Sequence, residues 1–144
     1  MTSSEIYQRD PSHWLYRYSP EEWIAVAMTE LQNAEHAYKR RDSLGLVAGA
    51  KRAAGMALNA TLIVRPREAW GRTYAEHLEG LALEMRVPEL VRNAARAVRA
   101  ARAPSSGLVA LRSRTGDEAL LDATRTVMAH AYAVVHGTQT REAT

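Results

Sequence analysis

Two arginine–histidine pairs are the residues of this sequence whose types and spacing could do chemistry. Arg72 is followed five positions later by His77, and Arg125 is followed five positions later by His130. An imidazole exchanges a proton near neutral pH and a guanidinium stabilises a phosphorane, which together suffice for metal-independent RNA cleavage. Five residues turn an ideal helix by about 140°, so a pair shares a face only if the arginine curls around the helix or a dimer completes the site. The alternative for both histidines is a structural position on a helix face near the core.

A second group of arginines could bind phosphate. Seven of the 17 arginines lie in residues 86–114, where the only acid is Glu89, so this segment carries a charge of +6 and the rest of the chain −3. The candidates are Arg92, Arg96 and Arg99 on one side of a predicted helix, and Arg112 and Arg114 in the following loop. Such a ridge could neutralise several phosphates of RNA, or of DNA in a helical regulator. The alternative is that these arginines form a solvated outer face. No aromatic residue is interleaved with them, so the sequence does not predict base stacking on the same surface.

Several other kinds of site are excluded. Cysteine is absent, which removes disulfides, thiolate metal sites and cysteine nucleophiles. The glycines of residues 45–55 lie in a predicted helix without a Gly-Lys-Ser/Thr sequence, so a P-loop is excluded. No Glu-x-x-His, His-x-x-x-His or Gly-x-Ser-x-Gly pattern occurs, and we predict no metal site, no cofactor and no serine hydrolase.

The elements that must position these residues are all predicted to be helices. Phenylalanine is absent and Ala, Leu, Arg and Glu dominate, which favours helix throughout. Ser19 as N-cap, Pro20 at the first helical position and Glu22 completing a capping box predict a first helix over about 20–40. The others are predicted from Ser43 to the break at Arg65-Pro66, over about 69–85, over about 88–102, and from Asp117 to Gly137. Gly45, Gly49 and Ala53, spaced by four, predict a close approach of a neighbouring helix to the second.

The chain is predicted to form one domain with two terminal extensions. Residues 1–18 are an arm rich in aromatic residues, 19–137 are the helical bundle, and 138–144 are expected to be a disordered tail. The N-terminus carries charges and proline where a signal peptide needs an apolar stretch, and no segment approaches the roughly 20 apolar residues of a membrane span. We therefore expect a cytoplasmic protein without membrane contact.

Three segments carry a resemblance to a known family. Residues 46–62 place a run of small residues and an Ala-x-x-Ala-Leu pattern before a break. His77-Leu78 and Leu81 lie in the next helix, and residues 117–135 form the last. In this order the segments resemble those of the HEPN family of small helical domains, over most of the chain from about Trp23 to Val135.

The resemblance implies an all-α, up-and-down four-helix bundle with an additional short helix, which forms homodimers in a prokaryotic cytosol. Members of the family cleave RNA as toxins or defence effectors, or act as non-catalytic partners of minimal nucleotidyltransferases. Arg125 and His130 match the family's RNase motif, although Thr126 stands where Asn, Asp or His is usual and residues 127–129 are apolar. We expect a dimeric HEPN-like module that binds a partner protein, a nucleotide or RNA, in a toxin–antitoxin or defence setting. The alternative is a metal-independent endoribonuclease that uses Arg125 and His130.

Overall fold

The computed structural model describes residues 14–103 and 112–143, with side chains described as far as Gly137. Within this part of the chain the backbone forms five α-helices, two short 3₁₀ helices and no β-strand, which confirms the predicted all-α class. The α-helices are α1 (Pro20–Lys39), α2 (Ser43–Val64), α3 (Tyr74–Leu83), α4 (Glu89–Ala100) and α5 (Arg114–Ala143). The 3₁₀ helices are Trp14–Arg17 and Glu68–Trp70. The first part of the predicted arm, residues 1–13, and residues 104–111 of the predicted loop lie outside the described residues.

Helix α1 begins where the sequence predicts. The Ser19 hydroxyl accepts a hydrogen bond from the backbone N–H of Glu22 at 3.1 Å, and the Ser19 N–H donates to the Glu22 carboxylate at 3.0 Å. The pKa of Glu22 is lowered because the backbone N–H and the hydroxyl of Ser19 both donate to its carboxylate and favour the charged form. The capping box therefore satisfies two backbone N–H groups at the start of α1, a helix that packs mainly on α2.

Helix α2 is the centre of the fold. It contacts each of the other four α-helices and is buried along most of its length. Its N-cap is Asp42, one residue before the predicted Ser43, and the Asp42 carboxylate accepts from the N–H of Gly45 at 2.9 Å. A Cβ added to Gly49 would lie 3.1 Å from the Cβ of Ala34 on α1, so the two backbones approach closely, as the spacing of small residues predicts.

The third helix is shorter than the predicted range of about 69–85. Residues Glu68–Trp70 form a 3₁₀ helix, and Gly71 then adopts a φ of 65°, which separates it from α3. Thr73 caps α3, because its hydroxyl accepts from the N–H of Glu76 at 3.1 Å within a second capping box. Thr73 followed by Glu76 is the same sequence pattern as Ser19 followed by Glu22, and it marks the observed start of α3.

Helix α5 begins three residues before the predicted Asp117, and its bounds extend to Ala143, past the predicted end at Gly137. The Ser113 hydroxyl accepts from the N–H of Gly116 at 2.9 Å and satisfies the first turn. Asp117 is buried, and it accepts hydrogen bonds from Arg112 Nε at 2.7 Å and from the Ser43 hydroxyl at 3.2 Å. The carboxylate therefore ties the start of α5 to the start of α2. No helix among the described residues is both long and apolar enough to span a bilayer.

Gly55 on α2 forms a slot for an aromatic ring of α3. A Cβ added to Gly55 would lie 2.2 Å from Cγ of Tyr74, far inside van der Waals contact. Gly137 is the contrasting case, because a Cβ there would meet nothing within 4 Å. Both glycines lie in helices, so both lower helix propensity, but only Gly55 is required by the space that a neighbouring side chain occupies.

We expect Gly55→Ala to lower the free energy of unfolding and Gly137→Ala to raise it. Alanine gains about 1 kcal/mol of helix propensity over glycine. At position 55 this gain is opposed by overpacking against Tyr74, which costs about 1–3 kcal/mol. At position 137 we expect a gain of about 0.5–1 kcal/mol. Urea denaturation of both variants measures the difference, and an equal gain in both would contradict the steric role of Gly55.

Candidate functional site

A cavity of about 320 Å³ lies where the end of α2, the connection from α3 to α4 and the middle of α5 meet. Its wall combines arginines and one histidine with apolar side chains. The lining residues are Thr61, Arg65, Arg67, Trp70, Glu84, Arg86, Val87, Pro88, His130 and Val134. We refer to this site as the His130 cavity.

The His130 cavity carries an excess of positive charge. Three of its lining residues are arginines and one is an acid, Glu84, whose carboxylate lies 3.9 Å from Nε of Arg67. The guanidinium groups of Arg65 and Arg86 form no ion pair with any residue in the described ranges. Two cationic groups therefore face the cavity without a protein counter-ion, which is the arrangement that binds an anion.

His130 contributes a titratable group to this cavity from α5. Burial lowers the pKa of His130 below its ordinary value, and the positive charge of Arg65 lowers it further. The imidazole is therefore neutral at neutral pH, and it can accept a proton or a hydrogen bond. A bound anion would oppose the effect of Arg65, so anion binding and protonation of His130 favour each other.

Trp70 forms one apolar part of the wall, and two residues of α3 hold it there. A Cβ added to Gly80 would lie 2.2 Å from Cδ1 of Trp70, so the indole needs the space that glycine leaves. The backbone carbonyl of Trp70 accepts a hydrogen bond from Nδ1 of His77 at 2.8 Å. Both supports lie on α3, so the position of Trp70 follows from the packing of that helix against the Glu68–Trp70 turn.

Arg72 and His77, the first sequence-predicted pair, do not form a site. His77 is 0% exposed and its ring lies 5.8 Å from that of Trp14 in a stacked arrangement, which confirms the structural alternative for this histidine. Burial lowers the pKa of His77 and keeps it neutral. Arg72 is exposed and lines a different cavity.

Arg125 and His130, the second pair, line different cavities of the same chain. The Arg125 guanidinium is bound by two carboxylates, at 2.9 Å from Glu35 Oε2 and 3.0 Å from Asp122 Oδ1. It lies over grooves between α1 and α5, and it is not among the residues that line the His130 cavity. A single chain therefore does not bring the two side chains together, in agreement with the 140° turn that separates them.

The arginine ridge on α4 binds groups of the protein itself. Arg96 donates to the carbonyl of Ala82 at 3.2 Å, and Arg99 lies 3.1 Å from the carboxylate of Glu79. Arg92 donates from Nε to the carbonyl of Val87 at 3.0 Å. These contacts hold α4 against α3 and the turn between them, so the ridge has a structural role beside any role in phosphate binding.

Arg112 and Arg114 lie at the start of α5, apart from the ridge. Arg112 binds Asp117 and also donates to the carbonyl of Gly116 at 3.3 Å. The guanidinium carbon of Arg114 lies 5.3 Å from the ring centroid of Tyr38, a cation–π contact. The sequence-predicted arginines are therefore distributed over separate places, each with a protein partner.

The arginines of the His130 cavity were not predicted from the sequence. Arg65 and Arg67 flank Pro66 just after α2, and Arg86 lies two residues before Pro88, just before α4. The sequence shows only that these arginines lie near prolines that end or precede a helix. The packing of the α2–α3 and α3–α4 connections brings them to one cavity. No cluster of three or more His, Asp or Glu side chains that could hold a metal ion occurs in the described ranges.

No protein-family model, no curated protein and no solved structure matches this chain. The function is therefore inferred from the residues of the His130 cavity, and membership of the HEPN family stays a hypothesis from the sequence.

We expect the buried His77 to make the stability of the fold depend on pH. Its pKa in the folded state is below the ordinary 6.5, so the unfolded chain binds more protons between the two values. The free energy of unfolding should fall as the pH drops below about 6.5, by at most about 1.4 kcal/mol per pH unit, until the folded-state pKa is reached. His77→Gln should flatten this profile, and thermal unfolding between about pH 7.5 and about pH 5 measures it.

His130, whose pKa is also lowered, acts in the same direction and leaves a smaller slope in the His77 variant. The matched control is His36→Gln at an exposed position, where we expect the wild-type profile. A wild-type profile in His77→Gln would assign the pH dependence to other groups.

Proposed function

We propose that this chain is a dimeric HEPN-like binding module, an up-and-down four-helix bundle with an additional short helix, whose His130 cavity binds a phosphate group of a nucleotide or of RNA. The observation that carries the proposal is the convergence of Arg65, Arg67 and Arg86 on one cavity that holds a single carboxylate. The resemblance adds a minimal nucleotidyltransferase as the proposed partner protein, in a toxin–antitoxin or defence setting.

The geometry supports a phosphate ligand in particular. Guanidinium groups present planar pairs of N–H donors that match phosphate oxygens, and charge-assisted bonds of this kind are the strong ones. The salt bridge to Glu84 orients Arg67 and leaves Arg65 and Arg86 for the ligand. Trp70 excludes water from one side of the cavity, which strengthens electrostatic contacts within it.

His130 gives the site a dependence on pH. A bound phosphate would raise the lowered pKa of His130 and stabilise the imidazolium, which then donates to the ligand. Affinity for an anion should therefore rise as the pH falls toward the pKa of the free protein and level off below it. Sulfate is the suitable probe of this effect, because its charge does not change over this pH range while that of phosphate does.

We expect Arg65→Ala and Arg86→Ala each to weaken the binding of inorganic pyrophosphate by about tenfold or more, the value of a lost charge-assisted hydrogen bond. Isothermal titration calorimetry measures the affinities. Arg40→Ala is the matched control, because it removes an exposed arginine that lines none of the cavities described above. With sulfate, wild-type affinity should rise from about pH 7.5 to about pH 5.5, and His130→Gln should abolish that rise. Equal losses in all three alanine variants would point to general charge attraction and contradict a site in this cavity.

Metal-independent RNA cleavage is the second candidate function, and the position of His130 beside three arginines favours it. The neutral imidazole would take the proton of a 2′-hydroxyl as the 2′-oxygen attacks phosphorus, and a guanidinium would stabilise the phosphorane. The bond from phosphorus to the 5′-oxygen would then break to leave a 2′,3′-cyclic phosphate, and the imidazolium or water would protonate the leaving 5′-oxygen. Arg125 could take part only if a second copy placed it at the His130 cavity, because within one chain it binds Glu35 and Asp122.

Incubation of RNA with the protein in EDTA separates the two candidates. The binding function predicts retention of intact RNA by the wild type. The nuclease predicts cleavage that is lost in both His130→Ala and Arg125→Ala. Both candidates predict a mass by light scattering of twice the 16.0 kDa chain, so the RNA products separate them. Cleavage lost in His130→Ala and retained in Arg125→Ala would assign catalysis to the arginines of the cavity instead.

A further inference from the structure

A second cavity, of about 400 Å³, lies beside the N-terminal 3₁₀ helix and the start of α3. It shares no lining residue with the His130 cavity. Its wall holds three aromatic rings, two arginines and an asparagine: Trp14, Trp23, Tyr74, Arg17, Arg72 and Asn59. We refer to this site as the aromatic cavity.

Asn59 is unusual among the residues of the aromatic cavity, because it is a buried polar side chain with an oxygen that is unpaired within the described ranges. It lies on α2, is 1% exposed, and its Oδ1 accepts no hydrogen bond from any described residue. A buried amide without a partner destabilises a fold, and leucine, of similar size, would avoid that cost. Thr61, two residues further along, shows the usual solution, because its hydroxyl donates to the carbonyl of Leu58 at 2.7 Å. Asn59 therefore contributes to the cavity lining a buried amide whose oxygen has no hydrogen-bond donor among the described residues.

The aromatic rings are held by the protein and need no ligand to position them. Tyr74 occupies the slot over Gly55, where a Cβ would lie 2.2 Å from the ring. Trp23 donates from Nε1 to the carbonyl of Leu15 at 2.8 Å, which fixes the 3₁₀ helix that carries Trp14. Rigid aromatic faces of this kind stack on the planes of nucleobases.

The charge of the aromatic cavity favours a base that carries phosphate. Arg17 and Arg72 are exposed at its edge and form no ion pair with any residue of the described ranges. None of the described lining residues is acidic. The amide of asparagine pairs with the adjacent donor and acceptor of adenine, N6 and N7, whereas guanine presents two acceptors on the same edge.

We propose that the aromatic cavity binds an adenine nucleotide. Asn59 pairs its amide with N6 and N7 of the base, the aromatic rings stack on the base, and Arg17 and Arg72 bind the phosphate. The site is separate from the proposed phosphate site at His130 and does not depend on it. Free adenine nucleotides and unpaired adenosines of RNA share this chemistry.

Calorimetric titration of the full chain with AMP and GMP tests the proposal. We expect AMP to bind at least about tenfold more tightly than GMP, the discrimination of one bidentate contact. Asn59→Leu should abolish the preference and leave the midpoint of thermal unfolding unchanged or higher. Arg17→Ala with Arg72→Ala, at exposed positions, should weaken AMP and leave adenosine unaffected. Arg40→Ala, the control at an exposed position outside both cavities, should bind AMP with wild-type affinity.

Three results would overturn the proposal. Absence of AMP binding to the wild type, with an Asn59→Leu variant less stable than the wild type, would mean that water satisfies the amide and that no base is bound. Equal affinities for AMP and GMP would mean that the base is not read. AMP binding that is lost in Arg65→Ala and kept in Asn59→Leu would place the nucleotide in the His130 cavity. Failure of pyrophosphate to bind the His130 cavity would contradict the proposed function and would not affect the proposal for the aromatic cavity.

Two further measurements test the source of the adenine ligand and the contact between Asn59 and AMP. A short oligoadenylate that binds more tightly than AMP assigns the site to RNA, and equal affinities assign it to free nucleotides. If Asn59→Leu does not fold, the arginine variants and the side-chain amide resonance of Asn59 on addition of AMP decide. An unchanged resonance at saturating AMP would contradict the contact.

Discussion

The burial of α2 along most of its length is the constraint on which the other helices depend. A helix surrounded by four others must present small residues wherever a neighbour crosses it, because protein interiors are packed to crystal density. Gly49 meets this need against Ala34 of α1, and Gly55 meets it against Tyr74 of α3. The two glycines weaken the intrinsic helix, and packing against the neighbours compensates for the lost helix propensity, whereas the alanines are small and favour helix. The alanine-rich composition of α2 is therefore a consequence of its central place.

The same central helix supplies both cavities. Asn59 and Thr61 lie two residues apart on α2 and hence on different sides of it, one at the aromatic cavity and the other at the His130 cavity. The His130 cavity is completed by α5 and the connections on either side of α3, and the aromatic cavity by α1, the first 3₁₀ helix and the start of α3. A rigid helix with short connections gives fixed walls, and fixed walls lower the entropy cost of binding.

The sequence predicts what depends on near neighbours and not what depends on packing. The capping box at Ser19 sets the start of α1 through contacts three residues apart, and so the prediction is confirmed. The turn of 140° separates Arg125 from His130 and also follows from local geometry. Arg65 and Arg86 lie 21 positions apart in two connections, and no spacing rule relates them. The contacts of the ridge depend in the same way on how α3 lies against α4, and the sequence shows only its periodicity.

The partners of an arginine in the folded chain indicate better than its place in the sequence whether it is available to bind a ligand. Most of the predicted candidates donate to the protein: Arg92, Arg96 and Arg99 to α3 or its turn, Arg112 to Asp117, and Arg125 to Glu35. Arg65 and Arg86 at one cavity, and Arg17 and Arg72 at the other, form no ion pair with any described residue. Burial lowers the pKa of His130, and repulsion by the like charge of Arg65 lowers it further. An anion that relieves this repulsion binds the folded state alone, so the stability of the fold and the occupancy of its sites are linked.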